Sequence, residues 1–225
     1  DEVAKEAVKI GWEQTAGPYF RFAQQLGNYL IFNRVEGLRQ NYSVNISNFL
    51  LNNSVISLKG GYGFKDKRFK GEAAVLYFLT NKKNLFLECN LYNDLGYEED
   101  KRLITTGKNT FTSLLYKGDY RDYYYKKGMN FGIGFRPGDN VALKFAFVTQ
   151  SEEEADNETR FSIFKYKKPF RHNPAIAEGK FQGFRTSLFY RIYNFDAELF
   201  AEYTDRSYLK SDFSYAFIKT NLNKS

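Results

Sequence analysis

The sequence predicts an all-β protein: an antiparallel transmembrane β-barrel of roughly 10–12 strands behind a short N-terminal helical lead-in. Three observations carry that expectation. Apolar and polar residues alternate with a period of two over most of the chain. Clusters of turn-forming residues recur at strand-like intervals. The chain is also rich in aromatic side chains, with 23 Phe and 18 Tyr in 225 residues, which suit a pleated, half-buried surface.

The first 27 residues stand apart. Val3, Ala4, Ala7 and Val8 fall at helical spacing, and Gly11 and Gly17-Pro18 then interrupt the pattern. Residues 1–27 are therefore read as a lead-in with a short helix, and residues 28–225 as the barrel domain. From Tyr29 the period becomes two. Strands are expected around Leu38–Ser47, then at 54–64, 69–77, 85–92, 131–136, 141–148, 184–192 and 195–204. Two more are expected around Thr159–Tyr166 and Asp212–Leu222. Between them stand Asn52-Asn53, Lys65-Asp66-Lys67, Asn81-Lys82-Lys83, Pro137-Gly138-Asp139-Asn140 and Tyr193-Asn194, all good turn chemistry. The segment Asn109–Tyr125 reads equally as a strand or a short helix.

Each strand has an apolar side and a largely polar side, because successive side chains point to opposite faces. In 131–136, Phe131, Ile133 and Phe135 oppose Gly132, Gly134 and Arg136; in 195–204, Phe195, Ala197, Leu199, Ala201 and Tyr203 oppose Asp196, Glu198, Phe200, Glu202 and Thr204. The polar faces carry Lys59, Lys70, Arg136, Lys144, Arg185 and Arg191 against Glu72, Glu88, Asp196, Glu198 and Glu202. These nearly balanced charges could face bulk water outside a soluble sandwich. Two features favour the inverted arrangement, in which the charges fill an interior and the apolar faces meet lipid. Glycines and phenylalanines (Gly61, Gly63, Gly132, Gly134, Phe86, Phe200) sit between the charges and suit a crowded interior. The apolar sets of 131–147 and 184–203 carry no charge, as a bilayer band requires.

Other classes are excluded or weakly supported. The longest apolar run, Ala73–Leu79, is far short of the roughly 18 residues of a membrane helix. Mean hydropathy is −0.55, as expected of strands polar on one side. The net charge of +7 points to acidic lipid rather than nucleic acid, since bases and acids interleave without a basic block. Cys89 is the only cysteine, so no intrachain disulfide can form. No Cys/His cluster or calcium loop is present, and Lys59-Gly60-Gly61-Tyr62-Gly63 lies in a strand rather than ahead of a helix. No cofactor and no enzymatic activity are expected. Two rival readings remain: a soluble β-sandwich or β-barrel binding an apolar ligand or glycan, and a barrel-embedded hydrolase with His172 as base and Ser162 or Ser187 as nucleophile.

Three stretches look familiar. Asn33-Arg34-Val35-Glu36-Gly37-Leu38 resembles the opening-strand motif of DUF5686-type barrels, relatives of the BamA-like surface antigens of Bacteroidota-like bacteria. Asp119-Tyr120-Arg121-Asp122-Tyr123-Tyr124 with Gly128, and Arg171-His172-Asn173-Pro174 with Ile176, Glu178 and Gly179, resemble two later stretches of the same proteins, in the same order. The resemblance implies an outer-membrane location, a periplasmic N-terminus, contact with outer-membrane lipid, and an attached periplasmic domain or assembly partner. The ending Asn221–Ser225, in place of a terminal aromatic strand, and the lack of a periplasmic domain ahead of residue 1 lead to the expectation that the sequence is part of a longer protein. Whether these strands close a barrel alone stays open. Arg34 and Glu36, two apart, are expected on one face of the first strand, either gripping the barrel interior near the periplasmic rim or marking a strand start that Gly37 lets bend. With Glu72, Glu88, Lys144, Arg185, Arg191, Glu198 and Glu202, they and Gly37 form the candidate set of interior, structural residues.

Overall fold

The computed structural model describes residues 29–48, 52–98, 104–164, 167–193 and 195–224. The lead-in helix expected within residues 1–27 lies outside them. Ten strands form one sheet: β1 (Leu30–Asn33), β2 (Gly37–Ser47), β3 (Ser54–Gly63), β4 (Phe69–Phe78), β5 (Leu85–Glu98), β6 (Asp122–Gly138), β7 (Val141–Glu154), β8 (Gly179–Ile192), β9 (Phe195–Thr204) and β10 (Tyr215–Lys224). They pair antiparallel in sequence order from β1 to β10. The sheet is open: among the described residues β1 and β10 do not pair with each other. A single sheet excludes the two-layered sandwich, which needs a second sheet to cover the apolar face.

The two faces are chemically opposite. On one, Leu91, Phe131 and Phe145 are 54%, 51% and 46% exposed, although they sit mid-strand. On the other, side chains reach over an intervening strand. Glu88 of β5 meets Lys144 of β7 at 2.6 Å, and Tyr92 of β5 donates to Gln150 of β7 at 2.6 Å. Contacts that skip a strand require a concave surface. The skipped strand supplies glycines where they cross: Gly132 pairs with Glu88, and Gly128 with Tyr92. A Cβ on Gly128 would lie 2.2 Å from the Thr149 carbonyl oxygen, and one on Gly134 would meet the Phe86 ring at 2.1 Å. The glycine–aromatic interleaving is thus interior packing.

One expected strand needs correction. Residues 159–164 do not form a strand; their backbone bonds go elsewhere, Thr159 N–H to the Arg34 carbonyl and Ile163 N–H to the Leu114 carbonyl. Residues 165 and 166 lie outside the described set. The ambiguous segment divides, with α1 (Thr106–Tyr116) followed by β6 from Asp122. Thr105 caps the helix by accepting from Lys108 N–H, and Lys117 ends it in the left-handed conformation. At the β6–β7 hairpin the register slips between Phe135 and Gly138, where Pro137 has no N–H for the ladder. Among the described residues no helix is long and apolar enough to cross a membrane.

The connections are unequal at the two ends. Residues 79–84 and 139–140 close short turns at one end, where Tyr193 also follows the end of β8. The other end carries residues 104–121, 155–164, 167–178 and 205–214, together with the turns 34–36 and 64–68.

Candidate functional site: a buried ionic hub under the long loops

Arg34 and Glu36 do not lie on a strand. They sit in the three-residue turn between β1 and β2, at the long-loop end. Asn33 shapes the turn, its Oδ1 accepting from the backbone N–H of Val35 at 2.9 Å and of Glu36 at 2.7 Å. Gly37 follows with φ +62°, and a Cβ there would lie 2.5 Å from the Lys65 side chain. Glycine is therefore required for both conformation and space. Asn33, Arg34, Val35 and Glu36 are all essentially sealed from solvent. A turn so charged is costly to bury unless every charge has a partner.

Arg34 finds its partners in the two other familiar stretches. Its Nη1 meets Asp119 Oδ1 at 3.5 Å and donates to the Asp119 carbonyl at 3.2 Å. Its Nη2 donates to Asp122 Oδ1 at 3.3 Å and to Asn173 Oδ1 at 2.6 Å. Arg171 shares that same Asp122 oxygen, Oδ1, at 2.6 Å. Asn173 bridges onward, donating to the Tyr123 and Ala155 carbonyls and accepting from Tyr123 N–H. Asp119 also accepts from Arg34 N–H, Asn109 Nδ2, the Tyr123 hydroxyl and Arg121 N–H. Segments up to 139 residues apart thus meet on one guanidinium. Burial lowers the Arg34 pKa and Asp119 opposes that shift, so the group keeps its charge at any ordinary pH.

Glu36 anchors a second half. It binds Lys70 at 2.8 Å and Arg39 at 3.2 Å. Lys70 continues to Asp66 at 2.5 Å and Arg39 to Asp94 at 2.6 Å, while the Tyr125 hydroxyl donates to Asp66 at 3.0 Å. Between the halves Val35 packs against Leu95, Tyr123 and Ala155. The turn is a plug whose apolar tip and two opposite charges each have a made receptacle.

The other candidates lie apart from the hub, on the concave wall. Glu72 binds Lys59 at 3.1 Å and accepts from Asn90. Lys144 holds Glu88; Arg185 holds Glu202; Arg191 holds Asp196 at 2.7 Å. Glu198 is exposed and accepts only a long bond from Asn221. Lys70, read as a wall charge, belongs to the hub instead. Sequence reasoning did not single out Asp66, Arg39, Asp94 or Asn109. Asp119, Asp122 and Asn173 stood inside the quoted motifs, which was the available signal. His172 is exposed, and the Ser162 hydroxyl is engaged by the Phe164 carbonyl at 2.7 Å. Among the described residues no group of three His, Cys, Asp or Glu side chains could hold a metal ion. Chemically, the hub is equipped to lock three chain segments together over the rim.

The family model described as the C-terminal domain of a family of unknown function, DUF5686, matches residues 13–207. Among solved structures, the chain is similar to that of BamA from Haemophilus ducreyi lacking POTRA domains 1-3. The TM-score is 0.51 at 16% identity, over 86% of this chain and 35% of that one. The likeness is one of fold, and this chain spans about a third of the length of that one. No curated protein matches the sequence.

Proposed function

The chain belongs to the DUF5686 family through the C-terminal domain that covers residues 13–207, and from that premise we propose an outer-membrane β-barrel with a structural, anchoring or assembly/transport role. The supporting observation is the inversion of the sheet. Apolar columns lie bare on the convex face, while Glu88–Lys144, Arg185–Glu202 and Arg191–Asp196 pair on the concave face. In water this arrangement would expose a large apolar band, which soluble monomers avoid. In a bilayer the same band is the stable surface.

Orientation follows from the loops. Outer-membrane barrels have short periplasmic turns and longer outer loops. The hub end therefore faces outward, and β1 enters from the periplasmic side. This replaces the expectation that Arg34 and Glu36 grip the periplasmic rim. A periplasmic domain or assembly partner would attach at the short-turn end. The test is refolding. The chain should aggregate in plain buffer and form β-structure with heat-modifiable gel mobility only in detergent or lipid. A folded, monodisperse monomer in buffer would sink the membrane reading.

A further inference from the structure

The convex face is not uniform. One ladder row runs Leu58, Ala73, Leu91, Met129 and Thr149 across β3 to β7. The next row toward the long loops runs Gly60, Gly71, Asn93, Lys127, Ser151 and Lys180 across β3 to β8. Small residues at the β3–β4 end leave a trough between Leu58 and Leu91. A Cβ on Gly60 would meet nothing within 4 Å. Residues of both rows line a groove of about 930 Å³.

Charge decides what fits. Lys127 and Lys180 stand two strands apart in one row, so their Cα atoms are about 10 Å from each other, and both side chains are exposed. Among the described residues neither ammonium has an ion-pair or hydrogen-bond partner. Of the nearby carboxylates, Glu153 of β7 pairs with Arg68 at 3.6 Å, and Asp212, in the β9–β10 connection, accepts from the Lys180 backbone N–H. Asn93 and Ser151 add polar groups to the same row. The result is an apolar trough closed at its outer end by two ammonium groups that have no direct partner among the described residues.

Resting on the membrane reading above, we propose that this groove is a site for one anionic, phosphate-bearing lipid of the outward-facing leaflet. An acyl chain lies along Leu58, Ala73, Leu91 and Met129, and the headgroup phosphate lies between Lys127 and Lys180. Lysines at this depth extend their ammonium groups to the headgroup level while their stems stay in the apolar layer. Each contributes attraction to anionic lipid.

The experiment uses the protein reconstituted in nanodiscs of equal phosphatidylcholine and phosphatidylglycerol, with native mass spectrometry counting the lipids retained. Wild type should keep phosphatidylglycerol over phosphatidylcholine by about thirtyfold. The Lys127→Gln/Lys180→Gln variant should lose that preference, and Ala73→Phe, which fills the trough, should lower retention of both lipids. Lys82→Gln/Lys83→Gln, with equal charge removed at the β4–β5 turn, should behave as wild type. Equal selectivity in all variants, or equal loss in the Lys82/Lys83 control, would overturn the lipid site alone. Failure of wild type to insert even into pure phosphatidylcholine would overturn the membrane reading and this site with it.

Discussion

Replacing Arg34 by Met removes the charge on which three segments converge while keeping a side chain long enough to fill much of the space. Four interactions disappear: those with the Asp119 carbonyl, Asp119 Oδ1, Asp122 and Asn173. Breaking a buried pair from one side costs about 3–5 kcal/mol, because it strands the partner's charge. Here the stranding is incomplete. Asp119 keeps four donors, from Arg34 N–H, Asn109, Tyr123 and Arg121, and Asp122 keeps Arg171. The expected cost is therefore at the low end, about 3 kcal/mol. Asp119→Ala is worse. It leaves the sealed guanidinium with Asp122 as its one remaining carboxylate and removes the acceptor for those four donors, so about 5 kcal/mol is expected. The double variant should cost less than the sum, since the second change no longer isolates a charge. Equilibrium urea unfolding in detergent micelles, followed by far-UV circular dichroism, measures all three. Asp139→Asn serves as control. Its carboxylate is 98% exposed beside Arg136, and its variant should be indistinguishable from wild type. An Arg34→Met variant within about 1 kcal/mol of wild type, or an Asp119→Ala variant milder than Arg34→Met, would refute the hub as a lock.

Two further substitution pairs test the wall. Gly128→Ala places a methyl on the Thr149 carbonyl and against Gln150, so thermal unfolding in detergent should show a loss of about 1–3 kcal/mol. Gly60→Ala, which enters open space, should be neutral or slightly stabilising; equal effects would contradict the close-packed concave face. Leu199→Arg on the convex face should cost about 2–4 kcal/mol in folding into bilayers if it lies near the midplane. Phe200→Arg, between Glu198 and Glu202 on the opposite face, should cost less, and the reverse order would mean that the faces are misassigned.

The strands were legible where one face is apolar and the other polar. The spans at 54–64, 69–77 and 195–204 nearly coincide with β3, β4 and β9. Legibility fails where that contrast fails. The outer ends of β5, β6 and β7 carry Asp94, Lys126, Lys127 and Glu152–Glu154, polar on both sides because they rise past the apolar band. β1 is only four residues long, too short to show a period. Phe161 and Ile163 alternate like a strand, but Phe161 packs edge-on against Phe32, 6.2 Å between ring centres. The wall pairs were foreseeable as a balance of charge, though not in their partners, which depend on register. The hub was half visible. Arg34, Glu36, Asp119, Asp122 and Asn173 lie in the three familiar stretches, yet nothing local says that Arg34, Asp119 and Asn173 share one point, because that contact is made by long loops closing over a turn.

The central claim is that the convex apolar face meets lipid, and the native Cys89 tests it without any substitution. It is exposed, and its ladder neighbours on either side are Val75 and Phe131, both bare on that face. A nitroxide attached to Cys89 in the protein reconstituted in lipid vesicles reports its own surroundings by power-saturation EPR. The account predicts strong relaxation by oxygen, which dissolves in the bilayer, and little by a water-soluble nickel chelate. Strong relaxation by the nickel chelate, or shielding from both reagents, would place that face in water or in a protein core and contradict the account.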